Sequence, residues 1–274
     1  EANVTPDGVR AHMTPLNPII AYRRFTLNKD NYVEVSRQGR LLAKVSLLAD
    51  DGTGLKLYST PNEDALQDLS LSMNNINMAE LTSVMPYAPR LGGLLHGDVH
   101  YMQADSATTV SAGIGIHGMT YEDTPMGDMG LQAAYFPNSD GSHHVDAALT
   151  QDEKEIATLA GTYLTQEDEG RMEAEATLES LPLSLANAFL PQGAVSLSGA
   201  ASGQVSVTGR ASNPILTGTL TTESMHVTAE DYNIDLSIPD DTLRIKGSRL
   251  DLDHIKAYAA GNSPLTLNGS LDFS

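Results

Sequence analysis

The sequence predicts a mainly β protein in which short antiparallel strands are joined by tight turns. Apolar and polar residues alternate in segments such as Leu55-Lys56-Leu57 and Val205-Ser206-Val207, and residues two apart share one face of a strand. Clusters of Gly, Asn and Asp recur at short intervals, as in residues 50–54 and 138–141. These residues tolerate the positive φ angles that hairpin turns require. Together, the alternation and the turn signals are typical of an antiparallel sheet.

Two segments depart from this alternation and predict short helices. Residues 78–85 carry Met and Leu at helical spacing and are followed by Pro86. Residues 183–190 show the same spacing and are followed by Pro191. Because proline lacks an N–H group and clashes with the preceding turn, we expect each helix to end before its proline.

Both helices belong to a repeat with an offset of 105 to 106 residues. The matches are Ile76 with Leu181, Met85-Pro86 with Leu190-Pro191, Gly93 with Gly199, Gly97 with Gly203, Val99 with Val205 and Tyr101 with Val207. The repeat predicts an N-terminal β segment, 1–75, and two β modules with a leading helix, 76–180 and 181–274. Repeated modules suggest end-to-end stacking. One sheet rolled around a long axis and two separate sandwiches both satisfy the pattern.

Composition excludes several classes of function. The formal net charge is −19, from 16 Lys and Arg against 35 Asp and Glu, which argues against nucleic acid as a partner. The absence of Cys excludes disulfides, thiolate metal sites and Cys nucleophiles. No apolar run approaches the ~18 residues of a transmembrane helix. Because the chain begins at Glu1 and ends inside an alternating pattern, we expect it to be a piece of a longer protein, so missing targeting signals or anchors carry no conclusion.

The motifs that could carry chemistry are weak. Residues 113–118 match the dinucleotide fingerprint Gly-x-Gly-x-x-Gly, but a strand-like segment follows where the fingerprint needs a helix. His96 and His100 lie in a predicted strand, where residues four apart are ~13 Å from each other, too far to share one metal ion. The adjacent His143 and His144 should face opposite ways. We therefore expect no catalytic residue, no metal site, no cofactor and no enzyme activity.

The apolar stripe of the sheet is the remaining candidate for function. In a closed sheet the stripe is simply core, whereas in an open sheet it lines a groove, and exposed apolar grooves usually bind a ligand. Aromatic residues are only 5% of the chain, and an acidic surface keeps an open apolar molecule soluble; both favour the groove. The candidate lining residues are Val205, Val207, Leu216, Leu220, Leu243, Ile245, Leu250, Leu252, Leu265 and Leu267.

The order of these motifs resembles the TamB family. Repeats of that family read helix and Pro, Gly-x3-Gly, an alternating strand, Gly, and then Pro-x-Leu-x-Gly-x-Leu. The matching segments are residues 181–191, 197–209 and 213–220, with a tail in the same style at 243–247 and 265–271. The first copy is looser, since no clear Pro-x-Leu-x-Gly follows Tyr101. Residues 25–35 are similar to versions from the Bacteroidetes.

The resemblance implies a fold, a location and partners. TamB-like proteins, relatives of AsmA-like proteins and bridge-like lipid transporters, are anchored in the inner membrane of Gram-negative bacteria and cross the periplasm. Their strands form an elongated, open groove, the β-taco, lined with apolar side chains. They serve outer-membrane biogenesis by moving phospholipid between membranes and by helping outer-membrane proteins assemble with a barrel partner of the TamA or BamA type. No catalytic residue is implied.

Three hypotheses follow for this chain. The leading one is a periplasmic segment of a lipid conduit, with phospholipid acyl chains on the apolar face and head groups in water. The second is a scaffold for outer-membrane protein assembly, which would pair a sheet edge with a client strand. The third is an extracellular β-solenoid binding protein, enzyme or adhesin, which the scarcity of aromatic residues disfavours.

Overall fold

The computed structural model describes residues 2–20, 23–62, 65–83, 85, 88–104, 107–164, 170–189, 195–210, 212–229, 232–259 and 264–272. Strands make up 74% of the structure and helices 5%, with a long antiparallel sheet, which confirms the mainly β prediction. The chain divides into two compact units, residues 1–120 with 127–137 and residues 121–126 with 138–274. The three-segment division at 75/76 and 180/181 stays a prediction.

The first unit is built on antiparallel strand pairs. Its strands are β1 (Ala2–Thr5), β2 (Gly8–Ala11), β3 (Ile19–Ile20), β4 (Arg23–Arg24), β5 (Thr26–Leu27), β6 (Tyr32–Ser36), β7 (Leu41–Leu48), β8 (Gly54–Ser59), β9 (Gln67–Asn77), β10 (Leu91–Ala104), nearly all of β11 (Ala107–Tyr121) and most of β12 (Thr124–Pro137). β1, β2, β6, β7, β8, β9 and β10 pair as neighbours in that order, and β5 also pairs with β7. β3 and β4 form a small ribbon of their own.

The second unit is also built on antiparallel strand pairs. They are β13 (Ser142–Gln151), β14 (Lys154–Leu164), β15 (Arg171–Pro182), β16 (Ser196–Arg210), β17 (Asn213–Ala229), β18 (Ile234–Ile238), β19 (Thr242–Ile245), β20 (Arg249–Tyr258) and β21 (Pro264–Asp272). β13 to β17 pair in sequence order. β17 then pairs with both β18 and β19, both of which pair with β20, and β21 follows. Pro239 separates β18 from β19, since proline cannot donate to the strand ladder.

The first predicted helix is an α-helix, α1 (Met78–Ser83). Asn77 caps it, because its Oδ1 accepts hydrogen bonds from the backbone N–H groups of Ala79 (3.0 Å) and Glu80 (3.3 Å). Asn77 Nδ2 also donates to Glu80 Oε1 at 3.1 Å. This reciprocal pairing stabilises a helix N-terminus. Pro86, the predicted stop, lies outside the described residues.

The second predicted helix is a 3₁₀-helix, Leu183–Phe189. Its winding is tighter than the spacing of its apolar residues predicts, and short segments adopt this form readily. Asn187 holds the segment against β16, since the N–H of Leu197 donates to Asn187 Oδ1 (2.7 Å) and Asn187 Nδ2 donates to the carbonyl of Leu197 (2.9 Å). Leu190 and Pro191 lie outside the described residues.

Five of the described strand pairs contain a one-residue register shift; the β13–β14 pair has one at Ile156, and four others share a positive φ angle at the extra residue. Asn75, Ser180, Ser224 and His254 have positive φ angles of 49°, 51°, 48° and 56°, and the pairing register shifts by one residue at each. These are β-bulges. Each bulge resets the alternation, so apolar residues three apart in sequence lie on the same face of the sheet.

The β9–β10 and β15–β16 pairs agree residue by residue. Met73 lies opposite Gly97 in the first pair, and Leu178 lies opposite Gly203 in the second; the repeat of whole modules stays a prediction. Gly97 and Gly203 have φ angles of 144° and 154°. A Cβ atom on Gly203 would lie 2.2 Å from the carbonyl oxygen of Thr219, so only glycine fits this close strand approach.

Candidate functional site

The ten candidate lining residues all lie on the sheet of the second unit. Directly opposed residues of an antiparallel pair point to the same side of the sheet. In the first row, Val207 lies opposite Leu216. In the next row, Val205 lies opposite Gly218, Gly218 opposite Ile245, and Ile245 opposite Leu250. In the third row, Leu220 lies opposite Leu243. Adjacent rows are two residues apart along each strand, so these seven candidates share one face.

The other three candidates join this face on both sides of the β20 bulge. The register pairs Leu252 with Gly269, Ile255 with Leu267 and Ala257 with Leu265. In a regular strand residues 252 and 255 would point to opposite faces, but the extra residue His254 puts them on the same one. All ten candidates therefore share a single face, hereafter the apolar face. Their role in lining a groove stays a prediction.

Exposure varies across the apolar face. Val205, Val207 and Ile245 are buried, with 7%, 8% and 6% of their surface exposed, whereas Leu265 is 52% exposed. The other six candidates are partly exposed. Some of them also serve as core, because Leu243, Leu252 and Leu267 pack against a buried cluster of Ile238, Ile255 and Ala257. The apolar face thus combines a sealed core with accessible aliphatic surface.

The apolar face is wider than the sequence analysis predicted. Additional members are Val145, Ala147 and Leu149 on β13, Ala157 and Leu159 on β14, Ala174, Ala176 and Leu178 on β15, Met225 and Val227 on β17, and Leu236 and Ile238 on β18. Alternation within each of these strands could have identified most of them. From β14 to β21, none of the described residues that pair on this face is charged.

The opposite face of the same sheet is polar. On β15, Glu173 and Glu175 lie opposite Thr208 and Ser206 of β16. Further along these strands, a hydrogen-bonded group spans β15, β16 and β17: the N–H of Ser180 donates to Ser202 Oγ (2.9 Å), and Ser180 Oγ donates to Glu223 Oε2 (3.1 Å). These bonds hold the β15 bulge in place. The sheet is therefore amphipathic.

The sheet of the first unit has the same two-sided pattern. On its apolar side, Val45 lies opposite Leu57 and Leu57 opposite Leu71. On its polar side, His100 Nε2 lies 3.0 Å from Asp68 Oδ1. The hydrogen bond from His100 lowers the pKa of the nearly buried Asp68 carboxyl below its ordinary value of 3.8.

The histidine pairs and the Gly-x-Gly-x-x-Gly motif, which the sequence analysis judged weak, lie on strands, as predicted. His96 and His100 belong to β10, and residues 113–118 belong to β11, which continues to Tyr121 before a turn leads into β12. His143 and His144 are neighbours on β13. Among the residues that the structure describes, no three His, Asp or Glu side chains are grouped to hold a metal ion.

Comparisons with protein-family models, with curated proteins and with solved structures find no match for this chain. Within the described ranges, no helix has the length and apolarity needed to cross a membrane. The likeness to the TamB family therefore rests on the sequence motifs alone.

Proposed function

We propose that this chain is a periplasmic segment of a TamB-like lipid conduit. Phospholipid acyl chains lie along the apolar face of an elongated, open β-taco built from repeats, while the head groups stay in water. The full-length protein is anchored in the inner membrane, carries phospholipid toward the outer membrane and works with a barrel partner of the TamA or BamA type. One observation supports this proposal above the others: an uncharged, aliphatic sheet face that is partly exposed.

The chemistry of that face suits acyl chains. Burial of apolar surface contributes ~0.8 kcal/mol for each CH₂ group, so a few methylenes on the face hold a lipid chain. The attraction has no preferred direction, and the face offers no charged group at which a chain would stop. A lipid can therefore slide along the strands from row to row. The polar face and the net charge of −19 keep such a molecule soluble.

Charges introduced on the apolar face test the proposal. The double variant Leu216→Asp with Leu220→Asp changes two partly exposed positions of β17 that lie outside the buried cluster. The matched control, Thr217→Asp with Thr221→Asp, adds the same charge at the same spacing on the polar face of the same strand. Both proteins are purified gently, and the co-purified phospholipid is measured by mass spectrometry.

We expect the apolar-face variant to lose most of its phospholipid and the control to retain the wild-type amount. Because the mutated leucines reach solvent, both proteins should still unfold cooperatively in thermal denaturation. Wild-type protein that carries no phospholipid, or an apolar-face variant that folds and keeps it, would refute the proposal.

A further inference from the structure

The first unit holds an apolar cavity of about 630 Å³. It is lined by the apolar side of β5 to β8 and by residues 12–20, hereafter the strap. The strap contributes Met13, Pro15, Pro18 and Ile20, and the sheet contributes Leu27, Val33, Val45, Leu47, Leu55 and Leu57; His12 and Thr14 complete the lining. The volume is that of a typical small-molecule site.

Hydrogen bonds along the strap hold it in place beside residues 25–31. Asn31, only 1% exposed, accepts a hydrogen bond from the N–H of Met13 (2.8 Å) and donates to its carbonyl (3.4 Å). Further along, the N–H of Leu27 donates to the carbonyl of Leu16 (2.8 Å), and the N–H of Phe25 donates to the carbonyl of Pro18 (2.9 Å). These bonds position the strap residues that line the cavity.

The residues that line the cavity favour a hydrocarbon ligand. Apart from His12 and Thr14, every lining residue is aliphatic, Met or Pro, and none is acidic, Lys or Arg. Water in such a space would have few hydrogen-bonding partners. The two polar residues are near neighbours at one end of the strap, where His12 Nδ1 donates to the carbonyl of Asn31 (2.6 Å). A ligand with an apolar chain and one polar end matches this arrangement.

We propose that the cavity beneath the strap binds one unbranched alkyl chain, from a fatty acid or from the acyl group of a lipid. The site is built only from residues of the first unit. None of its lining residues belongs to the apolar face of the second unit, so the proposal stands whether or not lipid travels along that face. The cavity is a fixed site for a single chain, in contrast to a path along which chains slide.

A cavity-filling variant tests the site. Leu57→Trp fills the space with apolar bulk, whereas Tyr58→Trp places the same indole on the opposite, exposed face of β8. Binding is measured by the fluorescence of cis-parinaric acid titrated into each protein. Each buried methylene is worth about fourfold in affinity, so an indole that displaces two or more should weaken binding by about tenfold or more. The Leu216→Asp, Leu220→Asp protein, in which the apolar face of the second unit is disrupted, should still bind one probe per chain; adding Leu57→Trp to it should weaken this remaining binding, and adding Tyr58→Trp should not.

Two further measurements need no mutation in the cavity. A palmitic acid analogue with a photoreactive diazirine should crosslink wild-type protein within residues 12–20 or within β5 to β8. Palmitic acid and phosphatidylethanolamine are then compared as competitors of cis-parinaric acid: displacement by palmitic acid alone supports a free fatty acid as ligand, and displacement by both supports acyl chains in general. The proposal is overturned by the absence of saturable binding, by crosslinks confined to other segments, or by a folded Leu57→Trp protein that binds as wild type.

Discussion

Deletion of a single residue from β20 tests whether its bulge sets the apolar face. Without His254 the strand reads Leu252, Asp253, Ile255, Lys256, Ala257, so a regular alternation keeps all three apolar residues on the same side. Asp253 would then pair with Asn268, the residue between the present partners Leu267 and Gly269. The His254 deletion should therefore leave the buried cluster intact.

The energetic cost of this deletion should be small. It removes the hydrogen bond from the His254 N–H to Asn268 Oδ1 (2.9 Å) at an exposed site, worth ~0.5–1.5 kcal/mol. It also removes a non-glycine residue at φ 56°, a strain of ~1–3 kcal/mol. Because the two effects oppose each other, we expect a melting temperature close to that of the wild type.

Deletion of Lys256 is the matched control. It makes Ile255 (4% exposed) and Ala257 (0% exposed) adjacent, and adjacent strand residues cannot both face the core. Exposure of the isoleucine costs ~1.5–3 kcal/mol, which corresponds to a fall in melting temperature of roughly 3–12 °C for a unit of this size. Thermal unfolding of both full-length variants is followed by far-ultraviolet circular dichroism. Equal losses, or a greater loss without His254, would refute the assignment of the bulge.

Two other predictions concern stability. Gly203→Ala should lower the melting temperature by several degrees, because its Cβ would lie 2.2 Å from the Thr219 carbonyl oxygen at a residue with φ +154°. The control Gly269→Ala should change the melting temperature little, since no atom lies within 4 Å of its Cβ. Equal effects of the two variants would contradict the close approach at Gly203. The pKa of Asp68 is lowered from 3.8 chiefly by its hydrogen bond from His100, so the ionised carboxylate stabilises the fold above that value, and this stabilisation is lost as the pH falls through the lowered pKa. In the Asp68→Asn variant, the urea concentration at the unfolding midpoint should therefore fall less steeply than in the wild type as the pH drops below about 4. An unchanged fall would count against the hydrogen bond between Asp68 and His100.

Local patterns in the sequence were enough to predict the mainly β class and individual strands such as those at residues 55–57 and 205–207. Alternation of period two marks strands because side chains on a strand point to opposite faces in turn, and the glycine-rich segments 50–54 and 138–141 are turns, as expected. The helix at Met78–Ser83 was also predictable, since its spacing and its Asn77 cap are encoded within a few residues.

The bulges were only partly predictable. Leu178 and Leu181, like Leu252 and Ile255, are spaced three apart, and this break in the alternation hints at an extra residue between them. The extra residues themselves, Ser180 and His254, carry no common signature. A bulge is defined by two residues opposing one on the partner strand, and the partner is distant in sequence.

Only the tertiary structure decided which residues share a face of the sheet and which of them are buried. Val205 and Leu265 have similar sequence surroundings, yet Val205 is buried beside β15 and β17 whereas Leu265 is 52% exposed on β21. Likewise, nothing local indicates that residues 12–20 line a cavity together with β5 to β8, because the bonds that hold them come from Asn31, Phe25 and Leu27. Periodicity is a property of one strand, but burial and cavities depend on which strands and segments meet.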